Sequence, residues 1–168
     1  MKNTLSYKIA LSAILIAMAA ALSYTERFIP LGLIVPLPGI KLGLANVVSM
    51  FALFFMGFKS AFTILVLRCL LTSFFGGFSS LMFSLAGGIM AVLIMEMLKR
   101  AKIFSIYGIS IGGSVMHVTG QVLTSMVIMK SHYVLSYLPV LIISAVVTGS
   151  LTALISAQVL KRMEKAVK

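Results

Sequence analysis

Long runs of apolar residues, separated by short breaks, make up most of this 168-residue chain. A membrane-spanning helix needs about 20 mostly apolar residues. Six runs approach that length and predict six transmembrane helices, at residues 5–24, 40–56, 58–75, 78–98, 104–129 and 137–160. The pattern therefore predicts an all-α membrane protein with a single six-helix transmembrane domain over residues 1–168.

The breaks between the runs contain residues that are typical of helix ends. Gly76 and Gly77 separate the third run from the fourth, and Lys99, Arg100 and Lys102 follow the fourth. The first connection, residues 26–39, is the longest, and it is apolar and rich in proline. We expect this segment to fold back over the helix ends rather than extend into water.

Composition supports a lipid environment, since 61% of the residues are hydrophobic and 10% are charged. A soluble domain carries about 25% charged residues. The 14 Lys and Arg residues lie in short clusters between the runs, which favours orientation in a bilayer over binding of nucleic acid. With both termini inside, the inner side holds Lys2, Lys8, Lys59, Lys99, Arg100, Lys102, Lys161, Arg162, Lys165 and Lys168, and the outer side holds Arg27, Lys41 and Lys130. The excess predicts cytoplasmic termini.

Acidic residues are nearly absent: the chain has no Asp, and its three Glu are far apart in sequence. Phosphoryl-transfer and prenyl-transfer chemistry generally needs Mg²⁺ held by carboxylates. Glu96 is expected to form an ion pair with Lys99 or Arg100, and the single Cys69 allows neither a disulfide nor a metal cluster. The sequence thus predicts a protein that is not an enzyme, that holds no metal or cofactor, and that takes its energy from a partner.

Arg68 lies about ten residues into the third run, roughly 15 Å deep. A charge at that depth is costly and needs a reason. It is either satisfied inside the bundle by hydroxyls, carbonyls or water, or it is the counter-charge for an anionic or carbonyl-rich ligand. The sequence predicts no acid at a similar depth.

A polar stripe on the fifth helix, at spacings of three and four residues, adds to this picture: Ser110, Ser114, His117, Gln121 and Thr124. Ser144 and Thr148 begin a weaker stripe on the sixth helix, and helix–helix hydrogen bonding is the alternative explanation for both stripes. Lys41 and Asn46 start the second helix, where Lys41 equally fits an interfacial anchor. Most of these groups fall in the outer half, so the pattern predicts a substrate-binding pocket open to the outside, lined by Lys41, Asn46, Arg68, His117, Gln121, Thr124, Ser144 and Thr148.

Small residues recur every fourth position on two helices, which lets another helix approach closely. They are Ala13, Ala17 and Ala21 on the first helix, and Ala145, Gly149, Ala153 and Ala157 on the sixth. Packing within the bundle is the favoured interpretation for the sixth helix. For the first helix, binding of an external partner is equally expected.

The stretch Pro-Gly-Ile-Lys-Leu-Gly-Leu-Ala-Asn-Val-Val at residues 38–48 resembles the signature of the Gx transporter family, also labelled heptaprenyl diphosphate synthase component I. That family is similar to the S components of energy-coupling factor (ECF) transporters. The resemblance implies a multi-pass protein of the bacterial cytoplasmic membrane that captures a vitamin or similar micronutrient from outside. It also implies that Ala13, Ala17 and Ala21 contact a transmembrane coupling subunit driven by two ATPases.

The ligand stays open, because no vitamin-specific motif is present. Both a flavin-like and an isoprenoid-like solute are compatible with the resemblance, since Arg68 and Lys41 suit a diphosphate and the Met- and Phe-rich walls suit an isoprenoid tail. Two other functions are also compatible with the sequence. The chain could be a non-transporting scaffold for quinone or flavin redox enzymes, or an accessory subunit in prenyl-diphosphate synthesis.

Overall fold

All of the described secondary structure is helical, as the hydrophobic pattern predicts. In this computed structural model the described residues are 5–28, 41 and 43–167. Five α-helices follow one another: α1 (Leu5–Thr25), α2 (Asn46–Phe55), α3 (Phe58–Ala101), α4 (Ile106–Met129) and α5 (Leu138–Val167). Short 3-10 helices lie at Glu26–Phe28 and His132–Tyr137. The first connection, residues 26–39, which is expected to fold over the helix ends, falls largely outside the described residues.

Helix α3 is a hairpin rather than one straight rod. Its 44 residues would extend about 66 Å, twice the thickness of the hydrocarbon core. Gly77 has φ 71° and ψ −179°, a conformation outside the helical region that favours glycine. A Cβ added to Gly88 would clash with Leu65, so residues 23 positions apart are in contact. The arms 58–76 and 78–101 are therefore antiparallel, and the predicted break at Gly76–Gly77 is confirmed.

Helix α2 is shorter than the predicted second span, residues 40–56, and that prediction is wrong in extent. Ten helical residues cover about 15 Å, half of the hydrocarbon core. Lys41 and residues 43–45 are not helical, and Gly43 has φ 83°. Apolar composition does not distinguish a helix from a buried non-helical segment, which is why the pattern overestimates α2.

Helices α1, α3, α4 and α5 are long and apolar enough to cross a bilayer. Because α3 folds back on itself, the described chain offers five apolar segments of about spanning length. The integral membrane character of the protein follows from these helices. Six crossings and cytoplasmic termini remain predictions.

The main apolar core is built by α2 and α3, and a second, smaller core lies between α4 and α5. Met50, Leu53, Ile64, Leu65 and Met95 are all at most 1% exposed. In the described chain α1 packs on α2 and α3 but not on α5, and its buried side chains are Leu15, Ala19 and Ser23. Helix α1 is thus the peripheral helix of the bundle.

The two small-residue stripes differ in burial: the stripe on α5 is inside the bundle and the stripe on α1 is exposed. Ala145 and Ala153 are buried, and a Cβ added to Gly149 would lie 2.9 Å from the Cα atom of Ile111. The α5 stripe therefore packs on α4, as favoured from the sequence. The three α1 alanines are instead exposed on the outer surface of the bundle: Ala13, Ala17 and Ala21.

Candidate functional site

Lys41 is buried in the centre of the bundle, with 8% of its surface exposed. Its ammonium group donates to the hydroxyl oxygens of Ser80, at 3.0 Å, and Ser84, at 2.9 Å, on the second arm of α3. Its backbone N–H donates to Oε1 of Gln121 at 3.2 Å. The interpretation of Lys41 as an interfacial anchor is therefore wrong, because the non-helical segment before α2 carries this cation inward.

The amide of Gln121 connects Lys41 to His117. Since Oε1 of Gln121 accepts from Lys41, its Nε2 donates to Nε2 of His117 at 3.0 Å. That hydrogen bond makes His117 a neutral ring with its proton on Nδ1, which lies against the backbone of Gly87. The His117 ring also abuts Gly43, where an added Cβ would lie 3.0 Å from the ring and 2.8 Å from the amide nitrogen of Asn46. Glycine at position 43 is thus required by both its positive φ and the close approach of these side chains.

Arg68 is the second cation of this region and is 3% exposed. Its Nη1 donates to the hydroxyl of Ser23, near the end of α1, at 3.0 Å. Glu26, one turn further along the chain, is 4% exposed and accepts a hydrogen bond from the backbone N–H of Leu44. Glu26 therefore joins the end of α1 to the segment that carries Lys41.

Opposing effects act on the pKa of Glu26. Burial, the largest of them, raises the pKa of Glu26, while the Leu44 N–H and the positive charges of Arg68 and Lys41 act to lower it. The net result is a pKa above the ordinary value. Among the described residues, this region therefore holds two buried cations, Lys41 and Arg68, and one buried acid, Glu26.

We call the side chains joined by these contacts the buried polar cluster: Ser23, Glu26, Lys41, Asn46, Arg68, Ser80, Ser84, His117 and Gln121. Several of its polar atoms have no hydrogen-bond partner among the described residues. They include Nε and Nη2 of Arg68 and both amide atoms of Asn46. Buried polar groups are nearly always paired, so these atoms are the donors and acceptors of the cluster that a polar ligand could contact.

The structure brings five of the eight predicted binding residues into this cluster: Lys41, Asn46, Arg68, His117 and Gln121. The other three use their hydroxyls locally. Thr124 donates to the Gly120 carbonyl, Ser144 to Leu141 and Thr148 to Ala145, each within its own helix. For Thr124 and Ser144 the bond within the helix accounts for the hydroxyl without a ligand.

Sequence reasoning missed Glu26, Ser23, Ser80 and Ser84. Ser80 and Ser84 are four residues apart, the spacing that places two hydroxyls on one helix face, and that signal was available. The position of Glu26 beside Arg68 depends on the relative stagger of α1 and α3, which has no local signature. The sequence predicts no acid at the depth of Arg68 and does not anticipate that the charge of Arg68 acts on the carboxyl of Glu26. Glu96, by contrast, pairs with Arg100 at 2.6 Å as predicted.

Comparison with known proteins gives one family. The family model described as heptaprenyl diphosphate synthase component I matches residues 15–159, which covers most of the chain and all of the buried polar cluster. No curated protein and no solved structure matches the chain.

Proposed function

The chain belongs to the family described as heptaprenyl diphosphate synthase component I, and from that premise we propose that it captures a small anionic solute inside the membrane for a partner complex. The resemblance drawn from residues 38–48 reached the same family. The proposed role is that of a binding subunit, which neither transforms nor pumps its ligand alone.

The proposal is supported mainly by the environment of the Arg68 guanidinium. A guanidinium that is 3% exposed, with two nitrogens lacking a partner among the described residues, is costly in a membrane protein unless something anionic occupies its donors. Lys41 reinforces it with a second buried charge. Structural cations are normally neutralised, whereas the described residues place one buried acid, Glu26, with two buried cations.

The proposed ligands are compounds with a phosphate or diphosphate, either isoprenoid-like or flavin-like. Phosphate oxygens match the planar donor array of Arg and the point charge of Lys. The amide of Asn46 offers a donor and an acceptor to a less charged part of the same molecule.

For uptake, the proposed partner is an ECF-type coupling subunit with ATPases. The support is the exposure of Ala13, Ala17 and Ala21 on the peripheral helix α1, where close helix–helix contact needs small residues. Near-absence of carboxylates supports an external source of energy, because the 168 residues include three acids and one of them pairs with Arg100.

Native mass spectrometry of gently purified protein tests ligand capture. We expect a retained small molecule in the wild type and its loss in Arg68→Ala. Arg162→Ala, which removes an exposed arginine near the end of α5, is the matched control and should retain the molecule. Full occupancy in Arg68→Ala contradicts the proposed site.

Co-purification tests the partner. Ala17→Leu should abolish recovery of a coupling subunit without changing ligand retention, because the added side chain projects from an exposed face of α1. Ala101→Leu, at the exposed end of α3, is the control substitution. Unchanged assembly in Ala17→Leu contradicts docking through this face.

The family description favours a second candidate, an accessory subunit of a prenyl-diphosphate synthase. In that function the bound anion is a prenyl diphosphate held for a catalytic partner. Adding the membrane protein to such a synthase should then change product length or rate. No change in either, with ligand capture intact, favours the uptake function.

A further inference from the structure

A shallow groove lies on the surface of the bundle between the first half of α1 and the first half of the neighbouring arm of α3. It holds about 340 Å³, at the low end of the range of ligand pockets, which is about 300–1,000 Å³. We call it the α1–α3 groove. Its lining combines a cation and hydroxyls with apolar side chains, and it includes Lys8, Ser12, Ile16, Ser60, Thr63 and Leu67.

The polar groups of the groove lie together at one end. The two helices run parallel, because Tyr24 in the last turn of α1 packs on Phe75 near the end of the first arm of α3, with ring centroids 5.8 Å apart. Their first turns are therefore at the same end of the bundle. The polar lining residues all lie in the first two turns of each helix, and beyond them the lining is apolar.

Lys8 gives the polar end of the groove a positive charge. Lys59, exposed in the first turn of α3, adds a second charge at the same end. Among the acids whose side chains the structure describes, Glu26 lies at the far end of α1, and Glu96 pairs with Arg100. The polar end of the groove is therefore complementary to an anion.

We propose that the α1–α3 groove binds one anionic phospholipid of the surrounding bilayer. The phosphate of its headgroup lies at Lys8 and the hydroxyls of Ser12 and Ser60, and the upper part of one acyl chain lies against Ile16 and Leu67. Because the groove is small and shallow, the rest of the lipid stays in the bilayer. The groove shares no residue with the buried polar cluster, and this proposal does not depend on the proposed function.

Charge and depth favour a phospholipid over other occupants. Lys8 lies where the apolar run of α1 begins, which is the level of the headgroups in a bilayer. Free phosphate offers the charge but leaves the apolar half of the groove empty. A second copy of this chain, with a net charge of +11, brings another basic surface to the lysines, and like charges repel. A lipid phosphate with its acyl chain matches both halves.

Native mass spectrometry of the isolated full-length protein tests the proposal. The protein is released from nanodiscs that contain equal parts of phosphatidylglycerol and phosphatidylcholine with identical acyl chains. The retained lipid should be phosphatidylglycerol with at least about a fivefold preference, because each surface lysine contributes about this factor to the binding of an anionic lipid. Equal retention of the two lipids overturns the proposal. Inorganic phosphate should not displace the lipid, and displacement by it identifies a site for the free ion instead.

Charge variants distinguish this groove from a general attraction between a basic protein and anionic lipid. Lys8→Gln should reduce the preference for phosphatidylglycerol about fivefold. Lys161→Gln removes the same charge from an exposed position on α5, outside the groove, and should keep the preference of the wild type. Equal reductions in the two variants overturn the proposed site.

A groove-filling variant locates the acyl chain. Leu67→Trp should weaken retention of phosphatidylglycerol at least about fivefold, because the larger side chain occupies the apolar half of the groove. Leu93→Trp, at an exposed position on the second arm of α3, is the matched control. Ile9→Trp is a second filling variant should Leu67→Trp fail to purify as a folded protein. Undiminished retention in the folded variants overturns the placement of the chain. A wild-type dimer that retains no lipid and is lost in Leu67→Trp identifies a second copy as the occupant.

Discussion

Two groups of polar side chains in this bundle look alike in sequence but differ in the location of their hydrogen-bond partners. In the buried polar cluster, side chains join different elements: Lys41 to α3 and α4, Arg68 to α1, and Glu26 to the segment before α2. On α4 and α5, Thr124 and Ser144 donate to carbonyls of their own helices. The first group spans the fold, and the second is satisfied locally.

The difference shows how to separate a site from ordinary helix chemistry in a membrane protein. Hydroxyls can bond to the preceding turn, so they occur in spans at little cost. Cations and carboxamides cannot satisfy themselves in this way, and they must find partners on another element or on a ligand. Only in the cluster do charged and amide groups keep atoms without a partner among the described residues.

Replacing Lys41 should have the largest effect. Lys41→Met removes one of the two buried cations, and affinity for a phosphate-bearing ligand should fall at least about 30-fold, the loss typical of a buried charged contact. Lys130→Met, in the exposed turn after α4, is the matched control. Equal affinities for the three proteins, measured by competition in nanodiscs, would remove Lys41 from the site.

Replacing Gln121 should have the next largest effect, on stability. Gln121→Leu leaves the backbone N–H of Lys41 and Nε2 of His117 without the amide that joins them. The unfolding free energy in detergent should decrease by about 2 kcal/mol, the usual cost of a buried group left without its hydrogen bond. A stability equal to that of the wild type would show that the bond contributes nothing.

The pH dependence of stability tests Glu26. Because the pKa of Glu26 is raised in the folded protein, the native state binds more protons than the unfolded state above pH 4.5. The stabilisation is complete below that pH and is lost as the pH rises through the folded-state pKa. Thermal unfolding should therefore occur at lower temperature as the pH increases from 4.5.

Glu26→Gln should flatten this slope while keeping an acceptor for the Leu44 N–H. A steeper loss of stability on acidification than on alkalinisation would contradict the assigned direction.

Replacing Thr124 should have the smallest effect on stability. Thr124 lies one turn from Gln121 on α4, so the two substitutions can be compared directly. Thr124→Val removes a hydroxyl bonded to Gly120 of the same helix. Its stability should stay within about 0.5 kcal/mol of the wild type, and its ligand affinity should not change. A clear loss of affinity would return Thr124 to the binding site and end the distinction between the two groups.

The helices were largely predictable because burial in lipid requires long apolar runs, and Gly76 and Gly77 marked the reversal of α3. The length of α2 could not be predicted in this way. The sequence at residues 40–45 resembles the apolar sequence of a spanning helix. The late start of α2 depends instead on Gly43, which packs against His117, a residue 74 positions later in the sequence.

Within the site, sequence reasoning identified groups that are costly in lipid, such as Arg68 and Gln121, because their chemistry alone demands a partner. It failed for groups whose role depends on which elements become neighbours. Glu26 begins the first connection, and no sequence pattern pairs it with another element, yet it is 4% exposed and the charge of Arg68 acts on its carboxyl. Ser144 is the opposite case, since a hydroxyl predicted to line the site donates to a carbonyl of its own helix.

The short length of α2 has an electrostatic consequence. A helix carries partial positive charge at its N-terminus and partial negative charge at its C-terminus. The N-terminus of α2 lies at Asn46, inside the cluster, while the Leu53 carbonyl near its C-terminus accepts from the ammonium of Lys99 at 2.7 Å. The positive end of this half-length helix therefore lies within the buried polar cluster, and its negative end is neutralised by Lys99. Because α2 is only about half as long as a spanning helix, the partial positive charge at its N-terminus lies inside the bundle rather than in water.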